Sequence, residues 1–317
     1  MFTVTVTETA QETAAVKVLR LARSDGRPLA PYAAGAHIDV TGPTGVTRPY
    51  SLCGPPGDIG FYTIAVKREV NSRGGSLALH DKVTTGTELL VGEPRRLFGV
   101  VPQASEHHLV AAGIGITPLL AMAYELHAAG AEFRLHYVAR DRSEAALAGL
   151  LEEAAFADRV AFHFGLGRAG TTAVLADELT GLPAQAHVYT CGPPGFMEQT
   201  AALAGRGLPA DHIHSELFQA GEQEDAAPCT SFEVELDTGE VFTVPPDRSI
   251  ADVLEANGVA IDTSCREGIC GTCVLQVLSG DPDHRDHCLT AKEKAAGDQI
   301  AACVSRSRSP RLVVELW

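Results

Sequence analysis

Hydrophobic and polar positions change their rhythm twice along this chain. Up to about residue 102 the apolar residues come in short runs cut by Gly and Pro: FTVTVTE, AAVKVLRLA, HIDVTG, FYTIAVKRE and TELLVG. The period-two alternation of FTVTVTE and the lack of long amphipathic helices predict an antiparallel barrel. From about 107 to 218 apolar strand-like runs alternate with Ala-rich helical ones: HLVAAG, TPLLAMAYELHAAG, FRLHYVA, SEAALAGLLEEA, VAFHFG, VLADEL, AHVYT and GFMEQTAALAG. Strands alternating with helices predict a parallel sheet. Residues 220–230, AGEQEDAAPCT, are polar and acidic and read as a linker. Residues 231–317 then form a small mixed unit: strands FEVEL and FTV, helix SIADVLEANG, a cysteine loop, strand VLQVLSG, a short helix TAKEKAAG and a last strand RLVVEL.

These shifts set expected boundaries at 1–103 (barrel), 104–219 (α/β), 220–230 (linker) and 231–317 (mixed unit). A length of 317 residues suits two or three domains, and 45% hydrophobic content can bury a core without disulfides. The first residues, MFTVTVTETAQETAAV, carry neither a basic nor a continuous apolar region, so they do not read as a secretion signal. The longest apolar stretch, 108–127, is interrupted by Gly113, Gly115 and Pro118 and is not expected to span a membrane. The expected location is the cytoplasm, where thiols stay reduced. A net charge of −15 argues against nucleic acid or an anionic membrane as partner. Residues 231–317 hold 15 acidic and 8 basic side chains, a net −7, which suits a partner protein with a basic docking patch.

Cysteine spacing changes the picture most. Cys265, Cys270, Cys273 and Cys303 follow C-x4-C-x2-C with a distant fourth cysteine, the plant-type [2Fe–2S] arrangement. A loop wrapped round a cluster with its amides turned inward needs backbone freedom, which Gly268 and Gly271 supply. Zinc sites usually show two close-set knuckles, and here the second is missing. Cys53, Cys229 and Cys288 read as ordinary thiols.

A cluster that takes one electron at a time needs a matching donor. In the barrel region, RPYSL (48–52) offers Arg48 as a guanidinium fork and Tyr50 as an aromatic face, while Gly74, Gly75 and Ser76 offer amides and a hydroxyl at a helix start. Taken alone, these residues also fit a basic turn and a flexible loop. In the α/β region, HLVAAGIGITPLL places Gly113 and Gly115 between a strand and a helix, with Thr117 expected as N-cap and Pro118 at the first helical position. The turn lets a pyrophosphate approach the helix N-terminus, although the third glycine of the dinucleotide fingerprint is missing. VYTCGPPGFME repeats the strand–turn–helix pattern with Cys191, Gly192 and Pro193 at the C-terminal edge of the sheet, where ligands of such sheets bind. Asp141 follows the strand FRLHYVA, near where an acid accepts from a ribose 2′-OH, and Arg140 and Arg142 flank it.

The order RPYS, VKRE with RGGS, GIGITP, CGPPGFM and the cysteine loop resembles the phthalate dioxygenase reductase and vanillate O-demethylase reductase family of the ferredoxin–NADP reductase-like superfamily, over essentially the whole chain. The resemblance implies an FMN-binding β-barrel, an NADH-binding α/β domain and a plant-type ferredoxin domain of β-grasp form. It also implies that Arg48, Tyr50, Ser51, Val66, Lys67, Gly75 and Ser76 line FMN, that Gly115, Thr117 and Cys191 meet the nicotinamide nucleotide, and that Phe218 packs on the isoalloxazine ring. Cys288 departs from the family's aliphatic residue near HRDH.

Electron counting then sets the expected function. Nicotinamide delivers two electrons together, the cluster accepts one, and a flavin can do both. The chain reads as an NADH-dependent reductase of a separate terminal oxygenase, most naturally a Rieske-type hydroxylase or O-demethylase. The competing readings are a cytochrome P450 reductase and a flavin/cluster redox-sensing module.

Overall fold

The computed structural model describes residues 1–70, 74–219 and 230–316 and forms two compact units, Met1–Leu217 and Phe218 onward. Most of the stretch read as a linker, 220–229, lies outside the described residues, as do Cys229 and residues 71–73.

The first unit opens with strands β1 (Phe2–Thr13), β2 (Val16–Arg23), β3 (Ala36–Thr41), β4 (Thr47–Ser51), β5 (Tyr62–Lys67), β6 (Glu88–Val91) and β7 (Arg95–Arg96), plus helix α1 (Gly75–Lys82). Their antiparallel order is β4-β3-β6-β1-β2-β5, and a bridge between Leu52 and Ile64 ties the two ends of the sheet together as a barrel. The alternation read in FTVTVTE is what fills it: Val4 and Val6 point inward with Leu19, Leu21, Ile38 and Ile64.

A second sheet follows: β8 (Glu106–Ala112), β9 (Phe133–Ala139), β10 (Val160–Phe164), β11 (Ala186–Cys191) and β12 (Ile213–Glu216), all parallel in the order β10-β9-β8-β11-β12. Its helices are α2 (Ile116–Ala128), α3 (Ala148–Glu153), α4 (Arg168–Glu178) and α5 (Pro194–Ala204). Leu175, Leu179 and Leu203 pack on Val110 and Val188. Part-buried bonds join this sheet and its helix α2 to the first segment: the Ala34 N–H donates to Glu125 Oε2 at 2.7 Å, and the Val101 N–H to the Tyr189 hydroxyl at 2.9 Å.

Two local expectations change. SEAALAGLLEEA is not one helix: Arg142–Glu144 form a 3-10 turn, Leu147 is left-handed at φ 62°, and only α3 is α-helical. Tertiary contacts explain the break, since the Leu147 N–H donates to Glu12 Oε2 of β1 (3.1 Å) and the Tyr137 hydroxyl to Ala146 O (3.0 Å). Thr117 is not an N-cap: Gly113–Gly115 form a 3-10 turn, α2 starts at Ile116, and the Thr117 hydroxyl donates back to Ile114 O at 3.0 Å.

Histidine rings stack across the parallel sheet, with His136 between His108 (6.3 Å) and His163 (5.5 Å), and His214 between His187 (5.2 Å) and Tyr189 (4.7 Å). Burial first, then neighbouring imidazoles, pushes His136 down to about 3 and His107 and His214 down to about 4. Between about pH 6.5 and 4 these groups are neutral in the fold and bind protons only when unfolded. Their contribution is therefore complete above pH 6.5 and declines as the pH falls toward 4 and below, by on the order of 1 kcal/mol per pH unit for each. Glu216, raised to about 8, acts in the opposite sense above 4.5 and offsets one of the three. Melting temperature is expected to peak near pH 6.5–7, to fall as the pH drops from there to 4, and to fall by less between 7 and 8 as Glu216 is driven to ionise; a level profile between 6.5 and 4 would show that these imidazoles are charged in the native protein.

The second unit has strands β13 (Phe232–Leu236), β14 (Val241–Val244), β15 (Val274–Ser279), β16 (Pro282–Asp283), β17 (Gln299–Ala301), β18 (Arg306–Ser307) and β19 (Arg311–Glu315), with helices α6 (Ile250–Ala256) and α7 (Ala291–Ala296). The main sheet runs β14-β13-β19-β15-β17, with β13 and β19 parallel. Each helix begins with a capping box, Ser249 with Asp252 and Thr290 with Glu293. Val253 and Leu254 join Leu275, Ile300, Leu312 and Val314 in the core. Among the described residues no helix is long and apolar enough to cross a membrane.

Candidate flavin, nucleotide and cluster sites

The barrel brings Arg48 and the 74–76 turn together. A Cβ on Gly75 would stand 3.1 Å from Val46 Cγ1 and 3.4 Å from Arg48 Cγ, so the glycine lets the turn lie against β4. Gly74 caps α1 at φ 87°. The Ser76 hydroxyl accepts from the Glu69 N–H at 3.1 Å and pins the far side of the turn. The Arg48 guanidinium donates to Thr47 O at 2.9 Å, and an arginine whose stem lies against the turn that opens a helix suits a phosphate monoester. Tyr50 packs on the barrel core, where burial pushes its phenol upward. Lys67 is exposed, with Nζ 2.6 Å from Glu69 Oε1. Val66 differs from the rest: its side chain is in the barrel core and its carbonyl meets His80 Nε2 at 2.8 Å, so it backs the cradle rather than facing it.

The parallel sheet supplies a second concentration of groups. Gly115 and the end of β11 touch: a Cβ on Gly115 would fall 2.2 Å from Cys191 O and 2.7 Å from Gly192 N, and one on Gly192 would fall 2.9 Å from Ala112 Cβ. The two Gly-containing turns therefore form one floor. Thr117 is buried beneath it, Gly113 (φ 55°) has open space around it, and Pro193 precedes α5. Burial, then the Glu216 carboxyl, pushes the Cys191 thiol well above its usual range, so it stays a neutral thiol rather than a nucleophile.

Glu216 is the site residue the sequence reading missed. It ends β12 beside Cys191, and its Oε2 accepts from the Ser51 hydroxyl at 3.5 Å, joining the barrel to the sheet. The residue keeps some surface but its carboxyl is enclosed, and burial raises it to about 8, against the smaller lowering by Ser51. One signal was available: in IHSELF an acid immediately precedes two apolar residues at the C-terminal end of the last parallel strand. Phe218 is half-buried and begins the second unit.

Asp141 is exposed and turned into its own loop, accepting from Ser143 N–H (2.8 Å), the Ser143 hydroxyl (2.6 Å) and Glu144 N–H (3.1 Å). Arg140 pairs with Glu144 at 3.1 Å and Arg142 with Glu152 at 2.7 Å, so each flanking cation already has a carboxylate partner.

In the second unit the four cysteines lie in two hydrogen-bonded pairs, Cys265 with Cys270 and Cys273 with Cys303. Within each pair the bond lowers one thiol, Cys270 and Cys273. Among the described residues no three His, Cys, Asp or Glu side chains converge on a single-ion position; two pairs suit a two-iron rhomb rather than one tetrahedron. The loop wraps through three left-handed residues, Arg266 (φ 59°), Gly268 (φ 71°) and Gly271 (φ 70°). Arg266 is held there by Glu255 (2.6 Å) and Asp252 (3.0 Å) of α6. The Glu267 N–H donates to Cys265 Sγ at 3.3 Å, and the Thr272 hydroxyl lies 3.1 Å from Cys270 Sγ.

An antiparallel barrel, a parallel sheet with two touching glycine turns and a paired-cysteine loop make the fold of an oxidoreductase that uses flavin, nicotinamide nucleotide and a [2Fe–2S] centre. Residues 234–308 match the family model described as "2Fe-2S iron-sulfur cluster binding domain". The chain is 43% identical to the vanillate O-demethylase oxidoreductase of Pseudomonas sp. (strain HR199 / DSM 7063), over 94% of each. Phthalate dioxygenase reductase, a modular structure for electron transfer from pyridine nucleotides to [2Fe–2S], superposes with a TM-score of 0.74 at 36% identity, covering 99% of this chain and 98% of the other. An intact type IV self-sufficient cytochrome P450 monooxygenase gives a TM-score of 0.88 at 34% identity, over 99% of this chain but 41% of that longer one. The chain belongs to the family of oxygenase reductases that contains vanillate O-demethylase oxidoreductase and phthalate dioxygenase reductase.

Proposed function

We propose that this protein is the NADH-dependent reductase of a cytoplasmic two-component oxygenase system, passing electrons through FMN and the [2Fe–2S] centre to a separate Rieske-type terminal oxygenase. The observation that carries the reading is the joining of a mononucleotide phosphate cradle and a nicotinamide floor in one compact unit, bridged by Ser51 and Glu216. Bound flavin supplies the exchange between a two-electron hydride and single electrons.

The chain's own groups have positioning tasks. Arg48 and the amides of Gly74, Gly75 and Ser76 hold the phosphate, Tyr50 and Ser51 with Lys67 border the ring system, and Phe218 covers it, as the family resemblance implies. Gly113, Gly115, Thr117, Cys191, Gly192 and Pro193 seat the nicotinamide nucleotide. A Glu216 carboxyl that keeps its proton at neutral pH can hydrogen-bond there without placing a negative charge where hydride must arrive. Cys265, Cys270, Cys273 and Cys303 ligate the cluster, one pair to each iron. Asp141 accepts from the adenosine ribose, and the carboxylate partners of Arg140 and Arg142 leave little free positive charge for a 2′-phosphate.

Flavin released by acid is expected to chromatograph as FMN, and kcat/KM for reduction of cytochrome c should favour NADH. Recovery of FAD alone, or a preference for NADPH, would overturn the corresponding assignment. A protein that binds NADH without turning over any acceptor would be a sensor. The likeness to the self-sufficient P450 favours a second reading, a P450 as acceptor; product formation in reconstitution with each oxygenase type separates the two.

A further inference from the structure

The four cysteines come from two arms of the second unit, the loop 265–273 and the turn at Cys303, and beyond the α6 contacts of Arg266 the loop is gripped at Gly268. Gly268 O accepts from the backbone N–H groups of His287 (2.8 Å) and Cys288 (3.1 Å). Its own N–H is directed at the sulfur of Cys303. A Cβ on Gly268 would lie 2.6 Å from Val304 Cγ2 and 3.1 Å from Asp286 Cα, so nothing larger fits. Gly268 thus touches the second arm on one side and the gripping segment on the other.

That segment is anchored by a single buried side chain. Asp286 is 2% exposed. Its Oδ2 accepts from the Leu289 N–H at 2.9 Å and lies 3.6 Å from Cys288 Sγ. Its Oδ1 accepts from the Ser305 hydroxyl at 3.3 Å. Ser305 stands two residues beyond Cys303, and its oxygen accepts in turn from the Arg285 N–H at 3.1 Å. Lys294 reaches in from α7, with Nζ 3.7 Å from Oδ2 and a bond to the Asp286 carbonyl. His284 Nδ1 is 3.6 Å from Oδ1. Removing a carboxylate from water is costly unless donors converge on it, and here they come from its own segment, from α7 and from the Cys303 arm.

We propose that Asp286 is a positioning residue for the [2Fe–2S] centre: it locks the segment that grips the ligand loop at Gly268 to the turn that presents Cys303. This rests on the four cysteines being the ligands. Removing the lock lets the two arms move apart, which changes both the retention of iron and the electronic environment of the sulfurs.

The test uses the full-length holoprotein purified anaerobically, with iron release to a chelator, the reduction potential and the electron paramagnetic resonance line shape as readouts. In Asp286→Ala iron release is expected to quicken roughly tenfold, with a displaced potential and altered line shape. Asp286→Asn, whose amide oxygen still accepts from Leu289, should fall between this variant and the parent. Ser305→Ala, which cuts one arm, should move the same readouts by less, and the exposed control Asp281→Asn should leave them at parent values. Parent behaviour in Asp286→Ala overturns the proposal. So does an Asp286→Asn variant as leaky as the alanine one while Ser305→Ala is unchanged. If Asp286→Ala does not fold, the Asn and Ser305 variants decide by the same comparison. A parent protein without two irons and an S = ½ signal would overturn the ligand assignment instead.

Discussion

Cys270→Ser is expected to leave NADH able to reduce the flavin while cutting the reduction of cytochrome c by about 100-fold or more. Cys270 is the thiol lowered within its pair by Cys265, and Thr272 lies 3.1 Å from its sulfur. A serine hydroxyl has neither the soft sulfur nor the acidity that iron needs in a ligand. The flavin and nucleotide groups lie in the other compact unit, so the two half-reactions should separate. Iron analysis, stopped-flow flavin reduction and steady-state cytochrome c reduction check this. Full iron content with parent turnover would remove Cys270 from the ligand set.

The second large effect is expected at Gly115. Its φ of −62° is ordinary, so the constraint is steric rather than conformational. An added methyl would fall 2.2 Å from Cys191 O and 2.4 Å from Cys191 C, both backbone atoms with nowhere to go. Gly115→Ala must therefore push the α2 turn and the β11 turn apart by about 1 Å, and a displacement of that size in a hydride-transfer site costs about 100-fold. Flavin content should persist, because the phosphate cradle belongs to the barrel, and overpacking should lower stability by about 1–3 kcal/mol. Gly113 provides the contrast: it has φ 55° and open space, so an alanine there meets backbone strain of about 1–2 kcal/mol without a collision. Stopped-flow reduction by NADH with both variants tests the difference; an unchanged rate in Gly115→Ala would show that the floor is not the nicotinamide seat.

Both predictions draw on features of unequal legibility. The cysteine spacing could be read directly because a cluster loop is local: three of the four ligands and two glycines stand within residues 265–273. The glycines of GIGITP were visible too, but not their reason, since the atom that excludes a Cβ at Gly115 comes from residue 191. Thr117 looked like a cap because Thr before Pro commonly is one, yet the 3-10 turn ahead of it moved the helix start to Ile116. The helix expected through SEAALAGLLEEA broke at Leu147 because Glu12, 135 residues away, claims its N–H.

What the sequence by itself determined is therefore what depends on neighbours along the chain: the period-two strands of the barrel, the strand–turn–helix alternation of the parallel sheet, the ligand spacing and the acidity of the last 87 residues. Tertiary structure alone decided which distant groups meet. It placed Glu216 against Ser51, 165 residues earlier, and raised its carboxyl; it stacked histidines from five strands and kept His136 and His214 neutral; and it set Asp286 between two ligand arms. The physical reason is common to all three: a charge or a proton responds to burial and to groups within a few ångströms in space, and neither is written in the order of residues.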